Sequence, residues 1–317
     1  MVELFFLILT VIGLAVFEII TGIDNAVINA DVLSTMSERA RRWFLVWGLL
    51  VAVFVIRGLL PLLLVWAANP SLGLWGALTA TFSNDELVQQ SVHSSTPILL
   101  IGGGVFLVFL FFHWLFMEPK KYGLKGEKFF HSQGAWFFAV VSVLLTIITW
   151  YAIQREALLA FGAVVGSTAF FMVHGFKQNA ELKEKELLSK KGSRNLTDWS
   201  KIMYLEVIDA TFSVDGVVGA FAFTLSVPLI LIGNGIGALV VRQLTISNLD
   251  KVKKYAFLKN GAMYSVLVLG TFMVLGGFGY HVPEWISPIA TISILGYFYW
   301  KSKKEIQKMA ALAAVIP

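Results

Sequence analysis

The sequence predicts an all-α protein, a polytopic bundle of about nine transmembrane helices. Of its 317 residues, 57% are hydrophobic and only 14% are charged, and the mean hydropathy is +0.75. A soluble domain of this size would not cover its surface with so few polar groups. Nine apolar stretches are also long enough to cross a bilayer, which takes roughly 20 helical residues.

The nine predicted spans follow one another along the chain. They are 4–28, 43–67, 97–117, 134–153, 157–175, 202–225, 227–246, 262–280 and 285–300. The first begins after the acidic Glu3 and has no cleavage site, so we expect a retained helix and not a signal peptide. Only Ser226 and Pro228 mark a turn before the seventh span.

Basic residues sort the connections between spans into two groups. Of the 25 Lys and Arg residues, 22 fall in five segments, namely 39–42, 120–128, 177–201, 251–259 and 301–308. The positive-inside rule places all five in the cytoplasm, which puts the amino terminus outside and the carboxyl terminus inside the plasma (inner) membrane. The net charge of +5 therefore reflects topology, and nucleic-acid binding is not expected.

One charged segment divides the chain into two membrane halves. We predict a first half at 1–175 with spans one to five, a charged cytoplasmic loop at 176–201 and a second half at 202–317 with spans six to nine. The stretch 69–96 is predicted to be an external loop with a re-entrant or interfacial part. The chain has no cysteine, which excludes disulfides and thiolate metal sites.

A short acidic signature occurs once in each half. Glu18 is followed six residues later by Asp24 and then Asn25, and Asp209 is followed six residues later by Asp215. A charged side chain in hydrocarbon costs at least about 2.5 kcal/mol, so two matching pairs indicate a function.

Further features repeat in the same order. The next span of each half carries an arginine, Arg57 or Arg242, and the span after it carries a glycine cluster. The two copies lie in the first and the sixth span, which are an odd number of crossings apart, so the two copies run in opposite directions. Such an inverted repeat, here spans one to three and six to eight, places a site near the bilayer midplane.

The acidic residues form a set of oxygen ligands. Carboxylates, the amide oxygen of Asn25 and backbone carbonyls suit hard divalent cations such as Mn²⁺, Ca²⁺ and Mg²⁺. Residues six apart differ by about 240° around a helix, so we expect an unwound turn at Gly22 to bring Asp24 to the face of Glu18. Glu206 shares a face with Asp209, and Ser213 lies one turn beyond it.

Several residues have two interpretations from sequence alone. Arg57 and Arg242 either support the site or form buried ion pairs with Asp24 and Asp215 that hold the bundle together. Glu206 either takes part in proton coupling or snorkels to the interface. Asn234 either lines the site or caps a close helix crossing. No nucleophile elbow, phosphate loop or His-rich metal motif is present, so no enzyme is expected.

The motifs resemble those of a known membrane family. Residues 14–28, with Glu18 and Gly22 to Asn25, resemble the first motif of the TerC family, which is linked to tellurium resistance and manganese efflux. Residues 206–215 resemble its second motif, 228–242 its following helix, and 39–57 its basic loop and second-helix arginine. Gly216 stands where the family commonly has serine. The resemblance implies a six-helix inverted-repeat core, related to the lysine exporter superfamily, with spans four, five and nine added.

These observations lead to one expected function and one alternative. We expect a plasma-membrane exporter of a divalent cation, with Mn²⁺ first and Ca²⁺ second, that exchanges the metal for protons; export follows only from the resemblance. Its partners are the lipid bilayer and the metal ion, and no permanent cofactor is needed. The alternative is a non-transporting membrane scaffold or stress-response protein whose loop at 177–201 docks a soluble partner.

Overall fold

The computed structural model describes residues 2–48, 51, 57–68, 70, 73–79, 86–188, 197–247 and 254–313. For some positions within its helices, Asp24 and Asn25 among them, it describes the backbone alone. All regular secondary structure in these ranges is helical. The prediction of an all-α polytopic membrane protein is therefore confirmed.

Thirteen α-helices are described. They are α1 (Val2–Thr21), α2 (Ile23–Leu33), α3 (Glu38–Trp43), α4 (Arg57–Ala68), α5 (Gly73–Thr79), α6 (Glu86–Met117), α7 (Glu127–Ser132), α8 (Trp136–Ile153), α9 (Ala157–Leu188), α10 (Asp198–Ala220), α11 (Val227–Ser247), α12 (Leu258–Gly277) and α13 (Ile286–Ala313). A π-helical turn, Phe44–Gly48, follows α3.

Five helical segments of the described chain are long and apolar enough to cross a membrane. They are Glu3–Thr21, Ser95–Met117, Trp136–Ile153, Ala157–Asn179 and Leu258–Gly277, and a shorter apolar helix covers Val227–Gln243. These correspond to the predicted first, third, fourth, fifth, eighth and seventh spans. Six of the nine predicted spans are therefore matched by an apolar helix of the described chain.

Two predicted loops contain more helix than expected. The segment 176–201 is largely helical, because α9 continues to Leu188 and α10 begins at Asp198. Its run of Lys and Glu favours a helix through pairs three or four residues apart. In the predicted external loop, residues 86–96 form the first turns of α6, and α5 lies before them.

The first helix packs lengthwise against α11 through small residues. Going along both helices, Leu14 contacts Gly233, Glu18 contacts Gly237, and Gly22 contacts Val241, so the two helices run parallel. A Cβ atom at Gly237 would lie 2.6 Å from the Cβ of Glu18. Glycines four residues apart thus let the backbones approach closely, as in many membrane helix pairs.

Equivalent helices of the two halves run antiparallel. Along α1, Phe17 and then Glu18 contact Gly219 and then Gly216 of α10. The third spans are also paired antiparallel, since Ile101 and Gly104 of α6 contact Gly277 and Gly270 of α12. This is the relation that an inverted repeat requires.

The basic segments meet at one end of the bundle. Lys201 at the start of α10 donates to the carbonyl of Thr35 at 3.0 Å, and Lys259 at the start of α12 lies 2.8 Å from Glu118 after α6. Because α10 runs antiparallel to α1, and α12 runs antiparallel to α6, the starts of α10 and α12 lie on the same side of the bundle as the ends of α2 and α6. We call this side the basic end.

A buried carboxylate fixes the connection after α6. Glu127 is 1% exposed and accepts hydrogen bonds from the backbone of Gly123 at 2.6 Å and Leu124 at 3.0 Å. It also accepts from Asn260 at 2.9 Å and from the Tyr264 hydroxyl at 3.1 Å, both on α12. Four donors satisfy this charge, so it ties the connection to α12.

Lys120 in the same connection is held at the end of α6. Its ammonium donates to the carbonyl of Leu115 at 2.6 Å and lies 4.2 Å from the Trp114 ring centre. Burial lowers the pKa of Lys120 to about 8, although the nearby Glu127 and Glu118 carboxylates act to raise it.

Candidate functional site

Three charged side chains from three helices meet inside the bundle. Glu18 of α1 is 2% exposed, Arg57 of α4 is 6% exposed and Asp209 of α10 is 7% exposed. One guanidinium nitrogen of Arg57 lies 2.7 Å from Glu18 Oε1, and the other lies 3.8 Å from Asp209 Oδ2. An acid from each half therefore contacts the same buried arginine. We call these three residues the central triad.

Two glycines make room for the Glu18 carboxylate. A Cβ atom at Gly216 of α10 would lie 2.8 Å from Glu18 Oε2, and one at Gly237 of α11 would lie 2.8 Å from Glu18 Cγ. Any larger side chain at either position would displace the carboxylate. Gly216, which departs from the TerC pattern, is thus matched to the position of Glu18 in this chain.

The central triad holds two acids and one base. Two carboxylates thus lie close to one guanidinium, and all three groups are almost completely removed from water. The Nε of Arg57 is also buried and has no hydrogen-bond partner within the described part of the chain. Removing charged groups from water in this way is costly unless they are well paired.

Asp215 lies on the other flank of α10 and has its own counter-ion. Its Oδ2 pairs with the ammonium of Lys177 on α9, and both side chains are largely buried. Asp215 directly precedes Gly216, so this pair lies at about the same depth as Glu18. Its second oxygen, Oδ1, is buried and makes no hydrogen bond with any described residue.

Two further polar side chains near the triad lack partners. Both carboxylate oxygens of Glu206 are buried without a hydrogen bond among the described residues, one turn before Asp209 and beside Gly48 of the π-helical turn. Asn234 on α11 is fully buried, and neither its amide nitrogen nor its oxygen is satisfied. Buried polar atoms without protein partners are rare and commonly mark a site for water or an ion.

Helix geometry shows where Asn234 points. On α11, Gly237 faces α1 and Leu231 contacts Gly58 of α4, and Asn234 lies about 60° from each of them. The Asn234 side chain therefore faces the gap between α1 and α4, one turn along α11 from Gly237, which contacts Glu18.

The helix is interrupted at Gly22, as expected, but its carbonyl is not released. Gly22 lies between α1 and α2 with a ψ angle of −8°, its N–H donates to the carbonyl of Glu18 at 2.9 Å, and its own carbonyl accepts from Ala26 at 2.9 Å. The break is therefore slight, and the Gly22 carbonyl is engaged in a backbone hydrogen bond. The side chains of Asp24 and Asn25 lie outside what the structure describes, so their expected role stays a prediction.

The ion pairs of the two arginines also differ from the expected pairs with Asp24 and Asp215. Arg57 pairs with Glu18 and Asp209, and Asp215 pairs with Lys177 instead of Arg242. Arg242 is half-buried and makes no ion pair with any residue whose side chain is described. Ser213 donates to the backbone carbonyl of Asp209 at 2.5 Å, so its hydroxyl is engaged within α10.

Lys177 is the site residue that sequence reasoning missed. It was counted among the basic residues of the predicted cytoplasmic loop. The available signal was the helix-favouring Lys and Glu run that follows it, which continues the fifth span and so places Lys177 within a helix. Within the described chain, no group of three or more His, Cys, Asp or Glu side chains is arranged to hold a metal ion. The central triad thus offers two carboxylates and no complete metal cage.

A cavity opens at the end opposite to the basic end. It has a volume of about 630 Å³ and lies between the start of α6, the turn from α10 to α11 and the connection from α12 to α13. Phe223 lines this cavity, and its ring lies 5.7 Å from that of Phe17, the residue before Glu18. The ring of Phe17 therefore packs directly behind a residue of the cavity wall.

Comparison with known proteins gives a family and one partial relative. The sequence profile of a family described as a protein of unknown function (DUF475) matches residues 23–308. An uncharacterized membrane protein of Bacillus subtilis (strain 168), YceF, is 28% identical over 117 residues, which is 36% of this chain and 46% of the length of YceF. The chain thus spans under half of that relative. No solved structure matches the chain.

Proposed function

Since the chain belongs to the DUF475 family, whose function is unknown, we propose its function from the site: it transports a divalent metal cation across the membrane. Mn²⁺ is the first candidate and Ca²⁺ the second. The observation that carries this proposal is the central triad, in which Glu18 and Asp209 from antiparallel helices share Arg57 in a buried position. Transport sites of inverted-repeat proteins lie at such repeat interfaces.

The chemistry of the available groups favours a hard cation. Carboxylate oxygens of Glu18 and Asp209 and the amide oxygen of Asn234 are the ligands that Mn²⁺ and Ca²⁺ prefer. The two carboxylates repel each other when both are ionised in this buried position, so a cation that binds between them relieves an electrostatic cost. Arg57 then has to move away from at least one carboxylate as the metal binds.

A route through the protein follows from the polar groups. Glu206, beside Asp209 on the basic-end side, receives the cation from the cytoplasm. The cavity at the opposite end provides the exit, and Phe17 and Phe223 close it while the triad is open to the other side. The acids take up protons as the metal leaves, which couples export to proton entry.

Direction and localisation rest on sequence patterns. The motifs at 14–28 and 206–215 resemble those of the TerC family, and this resemblance supports export and a link to tellurium resistance. The basic segments support a plasma-membrane protein with its amino terminus outside and its carboxyl terminus in the cytoplasm. The full set of proposed ligands is Glu18, Asp24, Asn25, Asp209 and Asp215, with Glu206, Arg57, Arg242, Ser213 and Asn234 in support.

Flux measurements in proteoliposomes test this proposal. Purified protein is reconstituted, and movement of Mn²⁺, Ca²⁺, Mg²⁺ and Zn²⁺ is followed with and without a pH gradient. We expect Mn²⁺ flux that a pH gradient accelerates and that Glu18→Gln and Asp209→Asn abolish. Glu118→Gln is the matched control, because it removes an ion-paired carboxylate at the basic end, outside the triad. If the wild type moves none of the four metals, the proposal fails.

One observation favours a second candidate function, a membrane scaffold. Arg57 bridges α1, α4 and α10 from a buried position, which is also how a purely structural ion pair would look. A scaffold predicts that Asp209→Asn lowers the unfolding temperature and that no metal flux exists to lose. A transporter predicts a folded Asp209→Asn protein without flux. Unfolding and flux measured on the same preparation separate the two.

A further inference from the structure

Lys177 brings a positive charge into the bundle from outside the repeated core. It lies on α9, which belongs to neither set of three repeated spans, and its ammonium pairs with Asp215. We propose that Lys177 is a built-in counter-ion, which the transported cation displaces from Asp215, and that Lys177 thereby sets the affinity for the cation. This inference rests on the proposed transport function.

The position of the pair connects it to the central triad. Asp215 and Gly216 are consecutive residues of α10, and the Gly216 backbone lies against the Glu18 carboxylate. On one side α10 therefore contacts Glu18, and on the other it contacts Lys177. The Oδ1 atom of Asp215 is buried and not hydrogen-bonded within the described chain, so it can accept a further cationic ligand.

Lysine and arginine differ in the way that this role requires. The Arg57 guanidinium is a rigid fork that contacts two carboxylates at once, which suits a fixed neutralising group. The Lys177 ammonium is a compact charge on a flexible chain of four methylene groups. The next residues of α9, Gln178 and Asn179, are exposed. A displaced Lys177 can therefore extend to water at the basic end.

Repulsion between like charges at Asp215 links cation binding to release of Lys177. The Lys177 ammonium pairs with the Asp215 carboxylate in a largely buried position. A divalent cation bound to the same carboxylate would lie close to this ammonium, and two positive charges so close repel each other. Surroundings of low dielectric strengthen the repulsion, so the metal and the ammonium compete.

Competition has a measurable effect on affinity. If Lys177 occupies Asp215 nine-tenths of the time, the apparent dissociation constant of the cation is about tenfold above its intrinsic value. Lys177→Gln should therefore bind Mn²⁺ about tenfold more tightly than the wild type. In an Asp215→Asn background the same substitution should have no effect, because the competing pair is already gone.

Equilibrium binding of Mn²⁺ to the purified full-length protein tests the inference. Loss of the electron paramagnetic resonance signal of free Mn²⁺ gives the dissociation constant for four proteins: the wild type, Lys177→Gln, Asp215→Asn and the double variant that carries both substitutions. Lys259→Gln is the matched control, since it removes a lysine from another carboxylate pair at the basic end. We expect its dissociation constant to equal that of the wild type.

Amine labelling of the wild type gives a second measurement that needs no substitution. The paired ammonium of Lys177 should react slowly with an acylating reagent, and Mn²⁺ should raise its labelling several-fold while that of the exposed Lys304 stays constant. A structural ion pair would show no change on adding Mn²⁺.

The outcomes separate the two proposals. If the wild type binds Mn²⁺ but Lys177→Gln binds it no more tightly and labelling does not respond, the inference is overturned and the transport proposal stands. If no variant binds Mn²⁺ and vesicles show no flux, both are overturned. If Lys177→Gln does not fold, the labelling result on the wild type decides.

Discussion

Removal of Arg57 should destabilise the protein in a way that a divalent cation repairs. Arg57→Met keeps a long apolar side chain but leaves Glu18 and Asp209 without their shared guanidinium. Both acids are more than nine-tenths buried, so neither gains water in return. Breaking one partner of such a buried pair costs about 3 to 5 kcal/mol of unfolding free energy.

The stability that Mn²⁺ restores to Arg57→Met can also be estimated. A ligand present at a hundred times its dissociation constant adds about 2.7 kcal/mol to the stability of the state that binds it. Mn²⁺ at that concentration should therefore restore at least half of the lost stability in Arg57→Met. The triple variant Glu18→Gln, Arg57→Met, Asp209→Asn has no charge left to neutralise. We expect it to be close to wild type in stability and insensitive to Mn²⁺.

Unfolding can be followed by the fluorescence of the ten tryptophans during titration with SDS, with and without Mn²⁺. Stability of Arg57→Met equal to wild type without metal would refute the assigned ion pair. A triple variant as unstable as the single one would show that Arg57 acts through packing and not through charge.

Three further predictions concern packing, titration and topology. Gly237→Val should lower the unfolding free energy by about 1 to 3 kcal/mol because its Cβ has no space beside α1, whereas Gly296→Val, with open space around it, should not. Burial lowers the pKa of Lys120 from 10.5 to about 8 in the folded protein, so between these pH values the unfolded chain binds more protons than the folded one. The free energy of unfolding should therefore rise with pH across that window, and Lys120→Gln should abolish the rise when unfolding is measured at a series of pH values. In this cysteine-free chain, an impermeant thiol reagent added outside cells should label Tyr280→Cys and not Lys304→Cys, and the reverse pattern would overturn the predicted orientation.

Local patterns predicted the membrane helices well. The apolar runs at 97–117, 134–153 and 157–175 correspond to helices of the structure, because length and hydropathy are properties of a continuous segment. The prediction at Gly22 was correct in position but not in extent. The helix is interrupted at this glycine, which weakens a helix, but the hydrogen bonds of its N–H and its carbonyl stay intact, so the Gly22 carbonyl is not released.

Charged residues were predictable as a group but not as pairs. The repeated signature singled out Glu18, Asp209 and Asp215, and the structure places two of them on the same arginine. The role of Lys177 was not visible, because a lysine near a predicted helix end normally points to water. Only the packing of α9 against α10 turns its side chain inward to Asp215.

The sequence alone determined three things: that this is a membrane protein, which segments form its helices, and which acidic residues lie within them. Hydrophobicity and charge are properties of each segment by itself, so they can be read without the fold. The tertiary structure decided which charges neutralise each other. The strength of an ion pair depends on the distance between the two side chains in space, and these side chains come from helices that are remote in the sequence. The close packing of α1 against α10 and α11 at glycine residues sets those distances.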